Sequence, residues 1–187
     1  MIRAIITDFD GTLVDTFEAN LRAYQKAFAD VGIPLTAERY RECFGYRFER
    51  FMTAMSIYDD GMANQIKEAK KEYYPQFFGF LKPNEALIDL IASFKAMGGK
   101  TAIASTARKE NLMNAIEYLD VHKHFDLIFA GIDVQKGKPD PEIYLKAMES
   151  LGVSPDETLI FEDSQVGIEA ARASGAHCMI VSQRQFD

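Results

Sequence analysis

The sequence predicts an α/β fold, a doubly wound parallel sheet with an inserted helical cap domain, and three observations carry that prediction. Short β-branched or aliphatic runs recur at residues 3–7, 100–105, 126–130, 158–161 and 177–181. Each is too short for a helix. Segments of helical periodicity separate most of them, the alternation expected of a parallel sheet with helices on both faces. One interval, 16–81, breaks the alternation with helical pattern alone.

Taken in order, the first run ends in Thr7-Asp8-Phe9-Asp10-Gly11-Thr12. Phe17, Leu21, Tyr24, Phe28 and Val31 then fall four and three apart, the stripe of a helix with one buried face. A later stripe passes through Met62, Ile66, Ala69, Tyr73 and Phe77, and Pro75 is expected to kink or end that helix. These helices have no strand pattern between them, so 16–81 reads as an insert placed directly after the first strand, and as a candidate lid. The strand-helix rhythm resumes at Lys82-Pro83-Asn84. Residues 85–97 carry Leu87, Leu90, Ile91, Phe94 and Met97 and stop at Gly98-Gly99. The helix over 141–151 takes Asp140 as its cap, Pro141 as its first residue and Gly152 just past its end. Its apolar set is Ile143, Tyr144, Ala147, Met148 and Leu151. The domain organisation is therefore a core of 1–15 and 82–187 and a helical cap of 16–81.

The 187 residues are 48% apolar and 26% charged, values of an ordinary globular chain and too apolar for disorder. With 21 basic and 28 acidic residues the net charge is −7, which disfavours nucleic acid and anionic membrane as partners. No apolar run reaches the roughly 18 residues of a membrane span, and an acid follows Met1 too soon for a signal segment. A cytoplasmic monomer is expected. Cys43 and Cys178 are far apart and lack metal-site spacing, so both read as buried thiols.

Ligands of such sheets collect at the carboxyl ends of the strands. Those ends bring together Asp8 and Asp10, then Ser105 and Thr106, then Glu162, Asp163 and Ser164. Lys138 lies in the loop Gly137-Lys138-Pro139-Asp140-Pro141, where Pro139 disfavours a helical lysine. A single acid at a strand end is most often a cap or a solvated loop residue. Four acids at one sheet end are different, because like charges raise one another's pKa until a countercharge enters. All-oxygen ligation favours Mg²⁺, a hard ion that keeps waters and shares substrate phosphate. Gly11 allows a tight turn that brings backbone N–H groups towards an anion.

The stretch Asp8-Phe9-Asp10-Gly11-Thr12-Leu13-Val14-Asp15-Thr16 resembles the signature of the haloacid dehalogenase superfamily. Ser105 matches its second motif, Lys138 in Gly-Lys-Pro-Asp-Pro its third, and Glu162-Asp163-Ser164 with Gly167 its fourth, across residues 1 to 181. The chain is similar in particular to the subgroup of β-phosphoglucomutases and small-molecule phosphatases, whose helical cap follows the first strand. The resemblance implies a Rossmann-like core and a Mg²⁺-dependent phosphatase acting on a small phosphorylated substrate. It implies Asp8 as the nucleophile that forms an aspartyl-phosphate and Asp10 as general acid and base. Ser105, Thr106, Gly11 and Lys138 would bind the transferring phosphoryl group, and Asp8, Asp10, Glu162 and Asp163 the metal, with Thr12 and Ser164 as supports.

An acid at position 10 points to phosphate esters or anhydrides rather than to dehalogenation. The alternative is a sugar phosphomutase of the β-phosphoglucomutase kind, which Asp15-Thr16 resembles, although those enzymes carry a histidine where Asn20 stands. Arg47, Arg50, Lys70 and Lys71 could grip a substrate anion; as lone charges on helices they read as solvated, and Lys70 is singled out. Asn20, Arg47 and Lys70 are thus the cap positions assigned to specificity. A receiver-like phospho-acceptor domain is a non-enzymatic alternative, but its aspartate follows the third strand, where this chain has Ala130-Gly131-Ile132-Asp133.

Overall fold

The computed structural model describes residues 1–182. The chain runs β1 (Ala4–Thr7), β2 (Val14–Asp15), α1 (Phe17–Ala29), α2 (Ala37–Cys43), α3 (Phe48–Ala54), α4 (Asp60–Tyr73), a 3-10 segment (Tyr74–Phe80) and β3 (Lys82–Pro83). It continues through α5 (Glu85–Ala96), β4 (Lys100–Ala104), α6 (Lys109–Tyr118), β5 (Leu127–Phe129), α7 (Glu142–Leu151), β6 (Thr158–Glu162), α8 (Gln165–Ala173) and β7 (His177–Ile180). Two compact units result: Met1–Asp15 with Lys82–Asp187, and Thr16–Leu81.

In the first unit, five strands form one parallel sheet in the order β5-β4-β1-β6-β7, so the α/β architecture expected from the alternation is present. The chain leaves the central strand in one direction, through β4 and β5, and returns on the other side as β6 and β7. That reversal places the ends of β1, β4 and β6 side by side, where such folds bind ligands. Every residue of β1 is buried, as a strand covered on both faces requires. Ala4 and Ile6 of β1 share one face with Ala102, Ala104 and Ile160, and α7 and α8 cover it with Ile143, Tyr144, Ala147, Met148, Ala170 and Ala171. Each large apolar side chain so buried contributes roughly 1.5–3 kcal/mol.

Several local expectations need correction. Residues 14–15 and 82–83 pair as a short antiparallel ribbon, which a two-residue strand cannot announce by periodicity. Helix α5 buries Leu87, Ile88 and Ile91, while Leu90 and Met97 are exposed. At 100° per residue, a face centred between 87, 88 and 91 leaves Leu90 off its edge. Asn84 caps this helix, its side chain accepting from the Leu87 N–H at 3.2 Å, and its amide donates to the Thr12 carbonyl at 3.3 Å. Helix α7 begins at Glu142 with Pro141 in the cap position, and Asp140 instead accepts from the Glu142 N–H at 3.1 Å. The expected apolar set of α7 is buried throughout. Cys43 is buried, but Cys178 is only partly so, because β7 is the last strand of the sheet.

The second unit is helical. Leu21, Ala27, Phe28, Tyr40, Phe51, Met52 and Ile66 form its core, with Phe17 and Tyr24 packed against it. Tyr40 sits among rings, 5.5 Å from Phe17, 5.6 Å from Tyr24 and 5.6 Å from Phe51. Helix α4 ends at Tyr73, and Pro75 lies in the first turn of the 3-10 segment that follows. Among the described residues, no helix is long and apolar enough to cross a membrane.

Candidate active site

The sheet positions the acids through its backbone. Asp8 directly follows β1, and its N–H still donates to the Phe161 carbonyl at 3.0 Å, so the main chain there remains in the ladder. Thr7 Oγ1 donates to the Asp8 carbonyl at 2.7 Å. Beyond it the chain turns: the Gly11 N–H donates to the Val14 carbonyl at 2.8 Å. That bond uses the N–H expected to face an anion. Gly11 has another reason to be glycine, a φ of +92° and a Cβ position that would collide with the Asp163 carboxylate.

Carboxylate oxygens of Asp8, Glu162 and Asp163 lie within 4.8 Å of one another. Lys138 reaches this group from the loop before α7: its Nζ donates to Asp8 Oδ1 at 2.5 Å and to Glu162 Oε1 at 2.6 Å. Its side chain is only 5% exposed, so it is a buried ion pair and not a loop charge waiting in solvent. Thr12 Oγ1 donates to Asp163 Oδ1 at 2.7 Å. Glu162 is saturated. Its Oε1 also accepts from Tyr144 Oη at 2.9 Å, and its Oε2 accepts from Asp163 N, Ser164 N and Ser164 Oγ at 2.9, 3.0 and 3.1 Å. Ser164 in turn caps α8 by accepting from the Gly167 N–H at 3.1 Å. Gly167 must be small, since any Cβ there would occupy the Glu162 carboxylate.

The remaining expected residues lie outside the three-acid group. Ser105, buried at the end of β4, lies with Oγ 3.4 Å from Asp10 Oδ2, a long contact for a hydroxyl, and accepts from the Ala107 N–H at 3.1 Å. Asp10 therefore faces Ser105, outside the cluster formed by the other three acids. Thr106 is half-buried, and its carbonyl lies where a Cβ on Gly131 would collide. In the helical unit, Asn20 and Lys70 are buried. Lys70, expected in solvent, has its Nζ 3.8 Å from the Tyr74 ring centre and 5.3 Å from that of Tyr24. Arg47 is half-buried, and its Nη2 is buried with no hydrogen-bond partner among the described residues.

Burial raises the Asp8 carboxyl well above its ordinary range; Lys138 opposes this, while Glu162, Asp163 and Asp10 add to it. Asp163 is pushed up to about 6, by burial first and by Glu162, against the Thr12 hydrogen bond. Burial works against the Lys138 charge as well, but Asp8, Tyr144 and Glu162 outweigh it and hold its ammonium well above the usual lysine value. Glu162 is also penalised by burial, yet its Lys138 partner and the Ser164 N–H bring it below the usual range. Three crowded acids against one ammonium thus leave Asp8 and Asp163 short of positive charge.

Tyr144 is the residue that pattern reading placed only in the core. The available signal was a tyrosine on an otherwise apolar stripe, one turn into a helix that starts beside Lys138; a buried phenol needs a partner for its hydroxyl.

The chain is 33% identical over 178 residues to a Thermotoga maritima protein named phosphorylated carbohydrates phosphatase, covering 93% of this chain and 82% of that one. It is 27% identical to the β-phosphoglucomutase of Bacillus subtilis, covering 98% and 85%. Its fold matches the crystal structure of CbbY from Rhodobacter sphaeroides in complex with phosphate at a TM-score of 0.84 and 31% identity, covering 96% and 86%. A mutant of CbbY has been solved with xylulose-(1,5)bisphosphate. Residues 5–181 match the model of the haloacid dehalogenase-like hydrolases, and the chain belongs to that enzyme family.

Proposed function

We propose that the protein is a Mg²⁺-dependent phosphatase of small phosphorylated carbohydrates that works through an aspartyl-phosphate on Asp8. The observation that carries this reading is the meeting of Asp8, Lys138 and Asp163 at the carboxyl end of the central strands. An Asp8 carboxylate oxygen attacks the substrate phosphorus, and the bond from phosphorus to the carbohydrate oxygen breaks as Asp10 gives that oxygen a proton. Water then attacks the same phosphorus, Asp10 takes the proton released, and the bond to Asp8 breaks. Inorganic phosphate leaves, and both side chains return to their starting forms. Lys138 brings a fixed charge to Asp8 and the phosphoryl oxygens, and the Ser105 and Thr106 loop brings hydroxyl and backbone donors.

The donor set fits a hard divalent cation: the acids crowd within 4.8 Å, burial disfavours their charge, and the missing Cβ of Gly11 leaves Asp163 its space. Asp8 and Asp163, with the Asp10 carbonyl, would hold it. Glu162 already accepts five hydrogen bonds, so we assign it to holding Lys138 and the loop after β6. When bound, Mg²⁺ neutralises the crowded carboxylates and the transferring phosphoryl group. Choice among substrates is assigned to the 16–81 unit as a cap, with Asn20, Arg47 and Lys70 as its specificity positions.

The Thermotoga maritima relative's name and the sugar bisphosphate bound to CbbY support a phosphorylated carbohydrate as substrate. A panel of sugar phosphates, assayed for phosphate release with Mg²⁺ and with chelator, tests the reading. Release should fall below detection with chelator and in Asp8→Asn; hydrolysis unchanged in either overturns it. The β-phosphoglucomutase relative supports a second reading, phosphoryl transfer to another hydroxyl of the sugar. Supplying β-glucose 1-phosphate with a bisphosphate primer separates the two, because a mutase yields glucose 6-phosphate and the phosphatase yields free phosphate.

A further inference from the structure

Tyr144 is fully buried on α7, and besides its core neighbours it meets two charged groups, Glu162 and Lys138. Its hydroxyl donates to Glu162 Oε1 at 2.9 Å, the same oxygen that accepts from Lys138 Nζ at 2.6 Å. Its ring centre lies 5.0 Å from that Nζ. We propose that Tyr144 is a positioning residue for phosphoryl transfer, fixing the Lys138 ammonium against Asp8 through its hydroxyl on Glu162 and its ring beside the charge. This inference rests on the phosphatase reading above and deepens it.

The physical argument concerns how Glu162 divides its attraction. Both of its oxygens are buried, so their lone pairs must be met by donors. Oε2 is met by the backbone and hydroxyl donors of Asp163 and Ser164, which leaves Oε1 to Tyr144 and Lys138. With the phenol in place, Oε1 is met by two donors, and the ammonium is shared between Oε1 and Asp8 Oδ1. Without the phenol, Oε1 presents its whole demand to Lys138 and draws the ammonium away from Asp8. The quadrupole of the ring favours a cation at its present distance, which resists that displacement. Tyr144 belongs to α7, whose first residues follow the Lys138 loop directly, so one helix sets both the lysine and its guide. Burial also holds the phenol well above its usual pKa, keeping it a donor.

Tyr144→Phe keeps the ring and the packing and removes only the hydroxyl. At saturating Mg²⁺ and well below the melting temperature, kcat should fall by roughly tenfold while KM changes less than about twofold, as for a lost hydrogen bond that matters in the transition state. The effect should shrink sharply when Tyr144→Phe is combined with Glu162→Gln, because the pathway runs through that carboxylate. Wild-type kcat in Tyr144→Phe, or losses that simply multiply with those of Glu162→Gln, overturns the proposal and leaves Tyr144 a packing residue. The Lys138 side-chain resonance in lysine-labelled protein should shift in Tyr144→Phe, and an unmoved resonance overturns the proposal as well. This readout needs no turnover: a wild-type protein that releases no phosphate refutes the phosphatase reading, and the resonance still decides the positioning.

Discussion

The two compact units accommodate charge in different ways. In the sheet unit the core is made of small and β-branched side chains, Ala4, Ile6, Ala102, Ala104 and Ile160, and charge is buried by saturating it with hydrogen bonds. Glu162, wholly buried, accepts five. In the helical unit the core is aromatic, and cations lie over rings: the buried Lys70 over Tyr74, and the exposed Lys26 and Arg50 over Tyr73 at 4.0 Å and Tyr46 at 3.9 Å. Hydrogen bonds have strict geometry, whereas a ring face accepts a cation over a broad range of positions. The sheet unit should therefore fail at single atoms, and the helical unit should fail only when whole rings are lost.

The largest expected effect tests the aromatic side of this contrast. Tyr40→Ala removes the ring shared by Phe17, Tyr24, Phe44 and Phe51 and should cost about 3–5 kcal/mol. Hydrogen exchange should show protection lost across 16–81 and retained in β1, β4 and β6; equal loss in both units breaks the contrast. Next, Gly167→Ala adds one methyl group where the Glu162 carboxylate stands and should destabilise the sheet unit by ~1–3 kcal/mol, read by denaturant melting. A neutral result would show that the acid cluster can yield, against the strictness argued here.

The smallest effect is a gain. Asp163, pushed up to about 6 from an ordinary carboxylate value, holds its proton more tightly in the folded state than in the unfolded chain. An acid raised by folding destabilises at pH above its folded value, and the cost fades as pH falls through about 6 towards 4. In chelator at pH 7, Asp163→Asn should therefore stabilise the protein by up to ~2 kcal/mol, and near pH 4 it should make little difference. A lower melting temperature for Asp163→Asn at pH 7 would mean that the crowded carboxylates are already relieved without a cation. Stability gained by disarming a site is the usual trade of function against folding.

Much of this was legible in the sequence. The strand runs overlap the strands of the parallel sheet, because a strand buried on both faces has a continuous apolar signature, and the polar residues stand at or just past the strand ends. The acids could be listed, but their division of labour could not. That Asp10 faces Ser105 while Glu162 binds Lys138 depends on side-chain direction, which strand order alone does not specify. Leu90 was misplaced because two neighbouring helix faces share the same spacings, and only the sheet beneath decides between them. Lys70 reads as solvated because a lysine on a helix usually is; Tyr74, four residues on, is a near neighbour in sequence, but Tyr24 of α1, the second ring beside it, is not. The β2–β3 ribbon is too short to have a period at all.

The Asp8 N–H, still bonded to the Phe161 carbonyl, has a further consequence for how the protein could be re-engineered. With its main chain clamped, Asp8 can swing only about its two side-chain torsions, so the line along which it approaches an electrophile is inherited from the orientation of the strand. Neighbouring strands coil by roughly 20–25° relative to one another. A substitution that relaxes that coil deep beneath the surface would redirect the attacking oxygen without altering a single polar group, and would surface in selection experiments as an activity mutation with no visible cause.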